Sequence, residues 1–292
     1  MSDSPHITPL REEFLQHAQA GNLIPVYREI LADFETPLSA YRKIRSDGEA
    51  FLCESVEGGE HLSRYSFVGC NPRGIIRQDG DQVQVVEGGK VTAAYTVSRE
   101  AGENHVRDGL EVVEKVLGRY RPVDLPGLPR FTGGAMGFVG YEFIHDVEPV
   151  VPRPPKDELG TPTMYFLIAD ELLIFDRVRQ TVTVLVNAII EDGTKPEDAY
   201  EEAVDEVERL VSLLEQPTEH RAVTLAADPP DAAFESNMEK DVFLANVAKS
   251  KEYIRAGDII QVVGSQRFST AVKADPLDVY RAVRSINPSP YM

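Results

Sequence analysis

Hydrophobic and polar positions alternate in short bursts over the first two thirds of the chain, and turn signals bound each burst. Leu23-Ile24-Pro25-Val26-Tyr27-Arg28-Glu29-Ile30 predicts a strand. Pro25 cannot donate to a ladder, so that strand sits at a sheet edge or begins there. Ala50-Phe51-Leu52-Cys53 and Arg64-Tyr65-Ser66-Phe67-Val68 predict a hairpin closed through Glu57-Gly58-Gly59-Glu60, with Gly69 and Asn71-Pro72 ending its second strand. Ile75-Ile76, Gln82-Val83-Gln84-Val85 and residues 91–97 continue as a meander, with Asp79-Gly80 as a strong hairpin signal. Residues 165–170, 171–176 and 181–190 read as two or three further strands, with a turn over 176–180.

Between these bursts the period lengthens to that of a helix. Residues 10–20 predict a short helix closed by Gly21-Asn22, and Thr36-Pro37 starts a second in which Leu38, Tyr41 and Ile44 share a face. Val106, Leu110, Val113 and Leu117 form a stripe that predicts a helix over 106–117, ended by Gly118. Pro196 opens a long amphipathic helix with Tyr200, Val204, Val207, Val211 and Leu214 on its apolar side. Its acids, Glu201, Glu202, Asp205, Glu206 and Glu208, spread around the helix instead of converging, which describes a solvated face and not a metal site. Residues 216–236 carry Pro217, Pro229 and Pro230 with little periodicity. Beyond them the pattern predicts a helix over 238–256 with Phe243, Val247 and Ile254 inward, stopped by Gly257. A buried strand, Ile259-Ile260-Gln261-Val262-Val263, follows. Asp275-Pro276 then caps a helix with Leu277, Tyr280 and Val283 inward.

The fold class expected from this order is α+β, with antiparallel sheets carrying helices on their outer faces. The expected organisation is a domain over 1–225, a linker over 226–237 and a second, shorter piece over 238–292. Composition narrows the function. With 42% hydrophobic and 27% charged residues, the 292-residue chain has globular values. A formal charge of −18 disfavours nucleic acid and anionic membrane surfaces as partners. Cys53 and Cys70 are the only cysteines and have no ligand spacing, which fits a reducing cytosol without a disulfide framework. The opening MSDSPHITPLREEF has no signal-peptide pattern and no apolar run is long enough to span a bilayer, so a cytoplasmic location is expected.

Candidate chemistry is concentrated in few places. There is no GxSxG, and the six histidines lie in unrelated contexts. The glycines of residues 131–141 give neither GxGxxG nor GK[ST], so close backbone packing is the expectation there. Glu54-Ser55 stands where a strand gives out. Such a pair either faces water or offers a carboxylate and a hydroxyl to a small zwitterion. Gln261 on a buried strand is an amide that must find partners for two donors and an acceptor, as a satisfied core residue or at a site.

Three separated motifs resemble one family. Leu52-Cys53-Glu54-Ser55 followed by Arg64-Tyr65-Ser66-Phe67-Val68-Gly69 resembles the tryptophan-sensing segment of anthranilate synthase component I, with Cys53 where leucine is usual. Residues 256–268, AGDIIQVVGSQRF, are similar to the motif that opens that family's catalytic domain, and Asn287-Pro288-Ser289-Pro290-Tyr291-Met292 resembles its NPSPYM. The resemblance implies a regulatory domain over 1–225 and the incomplete start of a chorismate-binding domain over 238–292. It also implies an L-tryptophan effector site built from Glu54, Ser55, Pro290, Tyr291 and Met292. Gln261, at a position where water-adding relatives carry a lysine, implies a member that uses ammonia. The implied parent enzyme is a lyase that converts chorismate and ammonia, supplied by a glutamine amidotransferase partner, into anthranilate and pyruvate. It uses Mg²⁺ and is under feedback inhibition by tryptophan in tryptophan biosynthesis. The magnesium ligands and acid/base residues of the family lie downstream of NPSPYM, so the chain is expected to be an N-terminal, catalytically incomplete part. Aminodeoxychorismate synthase component I and a stand-alone amino-acid-binding module are the alternatives.

Overall fold

A computed structural model describes residues 7–45, 48–56, 64–148, 150–153, 156–218, 222–224 and 233–292. The turn expected at Glu57-Gly58-Gly59-Glu60 and most of the expected linker lie outside them. The chain falls into two units, Met1–Glu219 together with Pro288–Met292, and His220–Asn287.

In the first unit, helix α1 (Arg11–His17) precedes strand β1 (Leu23–Leu31), and α2 (Pro37–Ile44) leads into the hairpin of β2 (Ala50–Cys53) and β3 (Tyr65–Cys70). Next come the meander β4 (Gly74–Asp79), β5 (Gln82–Glu87) and β6 (Lys90–Val97), a short β7 (His105–Val106) and α3 (Gly109–Leu117). Strand β8 (Gly134–Val139), one turn of α4 (Ile144–Val147), β9 (Met164–Ala169), β10 (Glu171–Asp176) and β11 (Thr181–Ile189) bring the chain to α5 (Pro196–Leu214). Local chemistry sets several boundaries. Ser39 N donates to Thr36 Oγ1 at 3.1 Å while Ser39 Oγ accepts from Thr36 N at 2.8 Å, a reciprocal cap that fixes the start of α2.

Two antiparallel sheets result, in the orders β1-β11-β10-β3-β2 and β7-β6-β5-β4-β9-β8, with only β7 joining in parallel. β1 is an edge strand, as Pro25 requires. One face of the first sheet packs Val26, Val68, Leu173, Val184 and Val186 against Phe14 of α1, Ile44 of α2 and Ala203, Val207 and Leu210 of α5. Its other face holds Phe67, Leu172, Ile174 and Leu185 with the half-buried Phe51 and Phe131. The second sheet buries Ile76, Val83, Val85, Met164 and Ile168 under Val112, Val113 and Val116 of α3. The chain passes between the sheets twice, at residues 71–73 and at Asp170, and the two crossings lie side by side. Arg73 Nε donates to Asp170 Oδ2 at 3.1 Å, and Asn71 Nδ2 donates to Glu171 Oε2 at 3.1 Å.

Three expectations from periodicity fail here or in the second unit. The helix expected from Val106 begins at Gly109, because the Asp108 carboxylate caps it by accepting from Glu111 N, and Val106 is drawn into β7. Leu110 is consequently 40% exposed, and Val112, Val113 and Val116 form the buried stripe. The glycine-rich segment forms edge strand β8, where a Cβ on Gly137 would collide with the Tyr165 carbonyl oxygen. Close packing is therefore what that glycine serves.

The second unit holds a two-residue ladder of β12 (Glu235–Ser236) and β13 (Phe268–Ser269), with α6 (Lys240–Ala256) and α7 (Pro276–Ile286). Gly257 ends α6 in the left-handed region at φ +82°, and Asp275 Oδ1 caps α7 by accepting from Leu277 N at 2.8 Å. Yet α6 buries none of its residues: Val247 and Ile254 are exposed and Phe243 only half-buried. The strand expected over 259–263 does not form, and Ile260 is 97% exposed. A strand needs a paired ladder, and no described strand lies against these residues.

Candidate functional site

The end of β2 is an edge of the first sheet, and there the chain leaves Glu54 and Ser55 with 6% and 3% of their surface exposed. They do not face water, the simpler of the two expectations for a strand end. Pairing with β3 carries β2 inward through Cys53↔Phe67, and Ser55 N donates to Ser66 Oγ at 3.3 Å. From the β10–β11 turn, Arg177 Nη1 donates to the Ser55 carbonyl at 3.1 Å. That turn is held by Asp176, which receives Arg64 Nε at 3.1 Å and Nη2 at 2.6 Å. Burial pulls the Asp176 carboxyl upward. The Arg64 fork and N–H bonds from Arg179 and Val178 outweigh it and hold the carboxyl below its ordinary range.

The chain's last residues meet this edge. Glu54 N donates to the Met292 carbonyl and Met292 N donates to the Glu54 carbonyl, both at 2.7 Å, the two-bond exchange of an antiparallel pair. Residues 54 and 292, which are 238 positions apart, are thus joined through the backbone. Tyr291 stands at φ +52°, a left-handed conformation that a bulky residue rarely adopts, and its ring stacks on Phe67 at 6.3 Å. Phe67 in turn meets Phe131 edge-on at 5.3 Å. Of the five residues implied for an effector site, Glu54, Ser55, Tyr291 and Met292 are brought together, and Pro290 is an exposed neighbour in the same segment. The surroundings offer what an amino acid requires: a buried carboxylate, hydroxyls on Ser55 and Ser66, and aromatic faces.

Gln261 belongs to the second unit, where it is exposed and lies outside any strand, so the burial expected of it does not hold. Sequence reasoning missed Ser66 and Arg177 as neighbours of Ser55, and Phe131 as the ring against Phe67. Ser66 was legible as the partner face of the predicted hairpin, whereas Arg177 reaches Ser55 only because β3 lies between β2 and β10. Among the described residues no group of three or more His, Cys, Asp or Glu is placed to hold a metal ion, and no helix is long and apolar enough to cross a membrane.

Comparison with known proteins adds independent findings. Residues 71–292 match a family described as chorismate binding enzyme. The chain is 40% identical over 295 residues to anthranilate synthase component 1 of Synechocystis, covering 98% of this chain and 56% of that protein. It is 39% identical to the protein of the same name from Pseudomonas putida, covering 97% and 55%. It also matches the crystal structure of anthranilate synthase component I from Streptococcus pneumoniae with a TM-score of 0.62 and 26% identity, over 90% of this chain and 53% of that one. The chain therefore spans a little more than half the length of the curated relatives it matches.

Proposed function

The chain belongs to the family of chorismate binding enzymes, and on that premise we propose that it is the N-terminal part of an anthranilate synthase component I whose effector site binds L-tryptophan. In this reading the whole enzyme is a cytoplasmic lyase of tryptophan biosynthesis. It forms anthranilate and pyruvate from chorismate and ammonia, with Mg²⁺ and a glutamine amidotransferase partner. The 54–292 backbone pairing carries the regulatory part of the proposal, because it sets Glu54 and Ser55 beside Tyr291 and Met292. Glu54 supplies an anion for the effector's ammonium, the Ser55 and Ser66 hydroxyls supply hydrogen bonds, and Phe67 and Tyr291 supply ring faces for an indole. The names carried by the relatives favour anthranilate over aminodeoxychorismate as the product.

Calorimetry with L-tryptophan tests the site. Binding is expected, and Ser55→Ala is expected to weaken it about tenfold, the loss of one hydrogen bond in a dry setting. Equal affinity in the two proteins would remove Ser55 from the site.

A further inference from the structure

Next to the crossing of the chain between its two sheets lies a cavity of about 540 Å³. The β5–β6 turn, the residues that follow α3 and the chain leaving β11 line it and leave one side open to solvent, and its volume is in the range of small-molecule sites. Neither Glu54, Ser55 nor Tyr291 lines it. Tyr120 is half-buried in its wall, and among the described residues its hydroxyl has no hydrogen-bond partner. Burial pushes that phenol up, and the charges of Arg73, Glu87, Arg119 and Asp170 all act on it. Both guanidiniums retain free donors. Arg73 commits Nε to Asp170 and Nη1 to Glu191, and Arg119 commits Nη1 to Glu87 at 2.9 Å. Asp192, also lining the cavity, makes no ion pair among the described residues. Ile189 and Ile190 supply an apolar wall.

We propose that this cavity is a second small-molecule site, separate from the Glu54–Met292 region, and that it takes an α-amino acid as its zwitterion. The ligand carboxylate meets the free guanidinium N–H groups of Arg73 and Arg119 and the Tyr120 hydroxyl. Its ammonium meets Asp192 and Glu191, and a short aliphatic side chain lies on Ile189 and Ile190. A plain anion would be repelled by Glu191 and Asp192, and a plain amine by the two arginines, whereas a zwitterion satisfies both sets.

The test is calorimetry on the full chain with three probes: L-leucine, its deaminated acid 4-methylpentanoate, and its decarboxylated amine 3-methylbutylamine. L-Leucine is expected to bind, with the acid and the amine each at least about tenfold weaker. Tyr120→Phe keeps the ring packing, and Asp192→Asn keeps the shape. Each is expected to weaken L-leucine by about three- to tenfold with an unchanged circular dichroism spectrum. Ser55→Ala is expected to leave it unchanged. Equal binding of the acid alone, loss of L-leucine binding in Ser55→Ala, or no heat up to about 10 mM L-leucine would each overturn the proposal. None of these outcomes depends on whether L-tryptophan binds at Ser55.

Discussion

At the scale of single residues, the crossing between the sheets concentrates charge that the fold only partly neutralises. Burial, then the neighbouring Glu206 and Asp170 carboxylates, push Glu171 up to about 7, against hydrogen bonds from Asn71 and Arg209. A carboxyl that holds its proton more tightly in the folded chain than in the unfolded one gives stability that is present at low pH. That stability is lost as the pH rises from the ordinary glutamate range to about 7. Chemical denaturation between about pH 5 and pH 8 should therefore show stability falling as pH rises, by at most about 1.4 kcal/mol per pH unit from this group. Glu171→Gln should flatten that slope, and an unchanged slope would count against the assignment. Asp170, also raised by burial, retains part of the slope in the variant. Glu171 was legible in the sequence only as a strand residue. Its perturbation comes first from burial and then from Glu206, 35 positions away on a helix, and the sequence could show neither.

At the scale of elements, α5 and α6 are both amphipathic in sequence but differ in what they find to pack against. Val207 of α5 is fully buried in the first sheet's core, whereas Val247 of α6 is 37% exposed. Val207→Ala should cost about 2–3 kcal/mol in denaturant unfolding, the lost transfer energy plus a cavity. Val247→Ala should stay within about 0.5 kcal/mol, helped by the better helix propensity of alanine. Comparable losses at the two positions would mean that α6 is packed in solution as α5 is. The acidic face of α5 also does more than meet water: Glu208 pairs with Arg28 at 2.9 Å, and Arg209 bridges to Glu171 at 3.1 Å. The expectation of a merely solvated face treated the helix alone, while its ends of contact are set by the sheet beneath.

At the scale of the whole molecule, the first unit's described residues assemble two antiparallel sheets and a buried edge at which residues 54 and 292 pair. With chorismate, ammonium and Mg²⁺ supplied, the chain alone should form no anthranilate above a protein-free blank, followed by fluorescence. A signal abolished by EDTA would refute this. The chemistry of such a reaction stabilises developing charge with preplaced groups, and the chain spans 56% of the Synechocystis relative. By itself the sequence determined where several elements begin and end when the determinant is local, although the Asp108 cap of α3 was passed over for the apolar stripe that starts at Val106. Thr36-Pro37, Asp275-Pro276, Gly257 and Asp79-Gly80 act through their own hydrogen bonds and backbone angles, and the structure bears out each boundary. It also determined the α+β class and, through three motifs, the family. Only the tertiary structure decided that Ile259–Val263 lacks a ladder and that Arg177 reaches Ser55 across β3. It also supplied the backbone pairing by which Met292 lies against Glu54, a proximity that the family resemblance had implied without its geometry. Strand partners and long-range contacts depend on sheet order, and sheet order is a property of the whole chain that no local pattern carries.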